Sequence, residues 1–291
     1  MAGIDFIKFA VHGEPAKALM ADPRINPIRK IDSNGEVLSM PTAKVAGLKS
    51  IWFNNHSPET VNKAIISLCL PEFYQGNNYI NLDYKTQQRA LKRLINEFGI
   101  PSDAPIISFE FGFNLKPPFS TTEFLNHVAY HNGLIFGLQK GKDMNLVTFE
   151  HERYHIKLYN KAAQHHLPYP LLRYEIRINK MVHLKALGIR TLSDISNGVK
   201  IKGLQQMLYK AATEMVILDY RLWSETLTPK ESILRNQFCR RDTWETDKPD
   251  RDKIRRTKQR LHQLSSKYYP TTIGQQFAEC VATANHQFWQ S

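Results

Sequence analysis

RYHIKLYNKAAQHHLPYPLLRYEIRI, residues 153–178, reads as two short alternating segments joined by a loop. Successive side chains on a strand point to opposite sides. His155, Lys157, Tyr159 and Lys161 therefore share one side of the first segment, and Tyr154, Ile156 and Leu158 share the other. In the second segment Arg173, Glu175 and Arg177 oppose Leu172, Tyr174, Ile176 and Ile178. Strands that are apolar on one side and ionic on the other predict a sheet with one buried face and one open polar face.

The flanking segments extend that sheet. IDFIKFAV, LKSIWFN, AIISLCL, GLIFGLQ and NLVTFE are strand-like. IISFEFGFNL alternates, setting Ile107, Phe109, Phe111, Phe113 and Leu115 against Ser108, Glu110, Gly112 and Asn114, the pattern of a strand covered on one side only. Helices are interspersed. GEPAKALM carries proline in its first turn. TQQRALKRLINEFG stacks Leu91, Leu94, Ile95 and Phe98 at helical spacing before a capping Gly99. STTEFLNHVAY opens with the Ser-x-x-Glu of a capping box. From about residue 183 the chain reads as helical, through GLQQMLYKAATEMVILDYRLW, PKESILRNQF and DRDKIRRTKQRLHQL. The expectation is an α+β domain over residues 1–182, an antiparallel sheet with helices on one face and an open polar face, then a basic helical region over 183–291.

With 291 residues the chain can bury one large core or two modest ones. No apolar run reaches the roughly 18 residues of a membrane span, and MAGIDFIKFAVHGEP lacks a signal peptide's basic start and long apolar stretch. A cytoplasmic protein with no membrane partner is expected. Cys69, Cys239 and Cys280 are far apart, which argues against a disulfide framework or a zinc knuckle. The net charge of +12 attracts a polyanion, and nucleic acid is the commonest in a cytosol.

If the strands carrying Glu110, Tyr159 and Glu175 are neighbours, their polar sides form a chemical site. The two carboxylates are hard oxygen donors suited to Mg²⁺ or Mn²⁺, and His155 adds a nitrogen. A divalent ion there would offset the charge that builds in phosphoryl transfer. Tyr159 would attack phosphorus as a covalent nucleophile, with Lys157 or Lys161 stabilising its phenolate or gripping the phosphate. The structural alternative is plainer, since strand glutamates are commonly solvated and a tyrosine between lysines is a common cross-strand partner. His165 and His166, just before LPYP, read as a solvated loop and not as a metal pair.

KLYNK followed by LLRYEIRINKMVHLKALGI resembles the rolling-circle replication initiators of filamentous phages, the gene II proteins. In that family a Tyr-x-Lys strand precedes an (L/V)-R-(F/Y)-E-x-R-(I/L) strand and a leucine-rich helix. LPEFYQGNNYINL is similar to the family's segment centred on a Gly-Asn pair, and IISFEFGFNL to its strand with a central acidic residue. The resemblance covers roughly residues 60–195. It implies that Tyr159 is the nucleophile, that Lys161 is the lysine two residues on, and that Arg173, Glu175 and Arg177 form the basic-acidic-basic strand. Glu110 stands where relatives tend to have Asp. His155 matches no part of the pattern, so its metal role rests on geometry, and the His-x-His pair of the wider class occurs on none of these strands. The implied mechanism is that Tyr159 displaces a 3′-hydroxyl at an origin, forms a 5′-phosphotyrosine bond and later rejoins the strand. DNA, single-stranded or as origin duplex, is the implied partner, with the replication machinery of a bacterial host.

In RDKIRRTKQR six residues of ten are basic, and SILRNQFCRR adds further arginines. Arg240, Arg241, Arg251, Lys253, Arg255, Arg256, Lys258 and Arg260 thus form an expected phosphate-neutralising stripe, joined by Arg173 and Arg177 of the sheet. Ile254, Leu261 and Leu264 give the same helix a buried side, so an ordinary solvated face is the alternative. Other functional readings are a non-catalytic DNA-binding relative, a relaxase or transposase with the same chemistry, and an RNA-processing nuclease that leaves no covalent link.

Overall fold

The computed structural model describes residues 3–30, 33–34, 39–135, 137–140, 145–244 and 251–290, with the backbone alone described at 137–140, 145, 241 and 251. Its strands are β1 (Gly3–His12), β2 (Thr42–Ala43), β3 (Ser50–Phe53), β4 (Lys63–Cys69), β5 (Ile106–Leu115), β6 (Val128–His131), β7 (Leu134–Ile135), β8 (Gly137–Lys140), β9 (Asn145–Glu150), β10 (Tyr154–Asn160), β11 (Leu172–Ile178) and β12 (Val216–Ile217). The helices are α1 (Glu14–Ala21), α2 (Leu70–Gln75), α3 (Tyr84–Phe98), α4 (Thr121–His127), α5 (Lys161–His165), α6 (Val182–Lys185), α7 (Gly198–Glu214), α8 (Pro229–Cys239), α9 (Arg251–Tyr268) and α10 (Ile273–Trp289). The fold is α+β, with a large antiparallel sheet and a helical C-terminal region. Among the described residues no helix is long and apolar enough to cross a membrane.

The chain divides into two compact units, and the division does not fall at residue 182. One comprises Met1–Gly112, Arg177–Gln205 and Gln287–Ser291, the other Phe113–Ile176 and Gln206–His286. Packing follows neighbours in space, so the helical segment after residue 183 is shared out between the two.

In the first unit the strand order is β2-β3-β4-β1-β5, with the end of β11 beside β5. β1 is central because it pairs antiparallel on both sides, Ile7 with Leu68 of β4 and with Phe109 of β5. Helix α3 forms as its spacing predicts, with Leu91, Leu94 and Phe98 buried. Asp83 caps its start by accepting from the Thr86 N–H at 2.7 Å, and Gly99 closes it at φ 61°, a left-handed position that suits glycine. On the same helix the Gln87 side-chain oxygen accepts from the Ile4 N–H at 2.9 Å, which ties α3 to the start of β1.

In the second unit β11, β10, β9 and β8 follow in order, with the end of β5 beside β11, and β12, β6 and β7 form a separate three-stranded sheet. Ile156 pairs with Phe149 and Leu158 with Val147, so the apolar sides of β10 and β9 face the same core. Tyr174 of β11 is fully buried there, edge-on to Phe277 at 5.2 Å, and its hydroxyl donates to the Leu208 carbonyl at 2.9 Å.

Three sequence expectations are corrected. The helix predicted over STTEFLNHVAY starts as expected, Ser120 Oγ accepting from the Glu123 N–H, but ends at His127, because Val128–His131 pairs as β6 with β12 and β7. β5 does not keep the one-sided alternation, since Ile107 is exposed where the pairing with β1 shifts register, and Gly112 and Asn114 are buried along with Phe111, Phe113 and Leu115. Lys161 is not on the strand of Tyr159. β10 stops at Asn160, whose side-chain oxygen accepts from the Ala163 N–H at 3.0 Å and starts α5, with Lys161 as its first residue.

Candidate active site

In the first unit the acidic residue Glu110 is not alone. Asp5 of β1 and Glu110 of β5 each offer a carboxylate oxygen, and the two lie within 4.8 Å of each other. The pairing of β1 with β5 is irregular between Ile4 and Phe6, so Asp5 sits where the ladder shifts register. Asp5 accepts from the Cys69 thiol at 3.4 Å, and Glu110 lies 3.3 Å from the Arg177 guanidinium. Two carboxylates so close repel unless a cation stands with them; Arg177, with its side chain 47% exposed, supplies one. Hard oxygen donors in this arrangement fit Mg²⁺ or Mn²⁺. Asp5 was not singled out from the sequence. Its signal is one acid inside the otherwise apolar start IDFI.

In the second unit Glu175 is buried, and each of its oxygens faces a cation. Arg173 Nε donates to one at 2.8 Å, and Lys157 Nζ lies 3.3 Å from the other. Arg173 also donates to the Asn114 side-chain oxygen at 3.3 Å. This corrects two expectations. The polar face is covered at Arg173 and Glu175, whose side chains are each 4% exposed, and open at Arg177. Arg173 holds a neighbouring carboxylate and is not a surface phosphate contact.

Tyr159 lies on β10 opposite Leu146 of β9, half-buried, with Lys157 two residues earlier opposite Thr148. The period of two puts both on one side of the strand, the side on which Lys157 meets Glu175. Lys161, although in α5, brings its ammonium 5.6 Å from the Tyr159 ring centroid and is itself buried. His155 belongs to the same alternation and pairs across the ladder with Glu150. Tyr174 faces the other way, into the core. His165 closes α5, and His166 takes the left-handed cap position at φ 52°.

A second ionisable group in this unit had no sequence signal, because its members lie on separate elements. His131 of β6 and His151, in the turn before β10, are joined by a 2.8 Å hydrogen bond between Nδ1 and Nε2. His131 is fully buried, with Nε2 4.0 Å from a Glu214 oxygen. Burial, with lesser contributions from His151 and Lys258, brings its pKa down to about 3. Burial and His155 lower that of His151.

Along α9, Lys253, Arg255, Arg256 and Arg260 are exposed while Ile254, Leu261 and Leu264 are buried, so the stripe and its buried side coexist. Lys258 departs from the stripe. It is half-buried, donates to the Glu214 carbonyl at 3.0 Å and lies over the Tyr130 ring, drawn inward by an acceptor and an aromatic face. Arg240 is exposed and paired with Asp242 at 2.5 Å. The side chains of Arg241 and Arg251 lie outside the described residues.

No family model matches the chain, and no curated protein matches it. Among solved structures it is similar to a rolling circle replication initiator protein from Geobacillus stearothermophilus, with 8% identity and a TM-score of 0.42 over 81% of this chain and 96% of that one. Similarity of that depth decides neither chemistry nor partner.

Proposed function

We propose that the chain nicks and rejoins one DNA strand at a rolling-circle origin, with Tyr159 as the nucleophile. The observation that carries the reading is that Tyr159 shares a strand face with Lys157, which is held against Glu175. Asp5 and Glu110 are the proposed donors for Mg²⁺ or Mn²⁺. When bound, the cation would polarise the scissile phosphate. The Tyr159 phenolate attacks phosphorus, the 3′-oxygen leaves with its electron pair, and Lys157 and Lys161 stabilise the phenolate and the charge gathering on phosphorus. The free 3′ end would prime a host polymerase, and the exposed cations of α9 and Arg177 would hold backbone phosphates.

One observation favours a second reading, a DNA-binding relative without catalysis. Both oxygens of Glu175 already face cations, an arrangement that a purely structural ion pair would also have. Covalent capture separates the two. Purified protein is mixed with Mn²⁺ and single-stranded origin DNA and run on a denaturing gel. An adduct that is absent in Tyr159→Phe is expected, and an adduct that persists in this variant would sink the assignment.

A further inference from the structure

The second unit contains a cavity of about 260 Å³ with no part in the proposed nicking, walled by β6, the end of α8 and the turn Tyr220–Trp223. Its floor is aromatic. Phe238 and Trp244 are buried, and the Trp244 indole N–H donates to the Phe238 carbonyl at 2.8 Å, which locks the ring in place. Its rim is different. Trp223 is 44% exposed, and the Arg235 guanidinium stands 5.2 Å over its ring. His127 meets Trp223 edge-on at 5.2 Å, and its Nδ1 donates to the Glu123 carbonyl at 2.7 Å, which leaves Nε2 as the ring's remaining polar atom. Asn126 lines the same wall.

We propose that this cavity takes one base of single-stranded DNA. A planar ring stacks on Trp223 at the rim, Asn126 and His127 meet its polar edge, and Arg235 neutralises the adjoining phosphate. Aromatic platforms beside cations bind single strands with little regard to sequence, because every base has a π-face. A hydrophobic peptide side chain would use the aromatic floor but would gain nothing from a guanidinium over the rim indole, whereas a strand that carries its own phosphate gains from both. The net charge of +12 favours the same occupant. The inference rests on the DNA reading above for its partner but needs neither Tyr159 nor a metal.

The test measures binding without chemistry. Full-length protein in EDTA is titrated with a labelled oligothymidylate and with an abasic oligonucleotide of the same length. Trp223→Ala, at an exposed position that leaves the buried floor intact, is expected to weaken binding of the base-bearing strand about tenfold and to leave the abasic affinity unchanged, with Trp223→Phe restoring most of the loss. Equal losses for both strands, no loss for either, or no binding of the wild-type protein would each overturn the proposal. The adduct gel is read separately. Base-dependent binding without an adduct removes the nicking reading alone, and an adduct with base-independent binding removes the cavity reading alone.

Discussion

Two regions of the second unit bury ionisable side chains by opposite means. On the β10–β11 face Glu175 is flanked by the cations of Arg173 and Lys157. Around β6, His131 gives its charge up, and burial holds it neutral down to a pKa of about 3. Desolvation penalises any buried charge, so the first region needs close partners of opposite sign and the second needs none. The difference teaches where chemistry with phosphate can occur. A buried, hydrogen-bonded histidine pair offers packing, while a face that holds cations and a tyrosine in register offers groups for an anionic substrate.

The comparison can be broken most forcefully at Glu175. Glu175→Ala leaves Arg173 and Lys157 without their shared anion and is expected to cost about 3–5 kcal/mol in urea unfolding; a loss below about 1 kcal/mol would mean that the cations are solvated and the face is not closed. The histidine region sharpens the contrast through pH. The unfolded chain protonates His131 near its ordinary value of 6.5, whereas the folded chain does so only near 3. The unfolded state therefore binds more protons between those values, and stability falls as pH drops below about 6.5. From pH 7.5 to 5 this amounts to about 2 kcal/mol, which His131→Gln should remove; equal pH slopes for wild type and variant would contradict the shift. The smallest effect is expected on the reverse side of β11. Tyr174→Phe loses one buried hydrogen bond, to the Leu208 carbonyl of α7, and should cost about 1 kcal/mol while keeping the DNA adduct, in contrast to Tyr159→Phe.

Much of this was legible in the sequence, for physical reasons. Period-two alternation marks β10 and β11 directly, and the spacing of Leu91, Leu94 and Phe98 marks α3. What escaped depends on contacts between distant segments. No local pattern says that Arg173 and Glu175 are covered, or that His131 meets His151. Asp5 escaped because a register shift and not an alternation determines its place. Lys161 escaped because a three-residue alternation after Lys157 looks the same whether the strand continues or Asn160 caps a helix.

The Asn160 cap has a further consequence for the rejoining half of the proposed reaction. Chain that turns into a helix two residues after Tyr159 cannot swing freely, so a strand end bound to that hydroxyl would be held on a short, stiff arm. A tethered reactant confined to a small volume has a high effective concentration toward its partner. Resealing would then be limited by delivery of the 3′-hydroxyl, and lengthening this junction with inserted glycines should slow closure more than the initial cut.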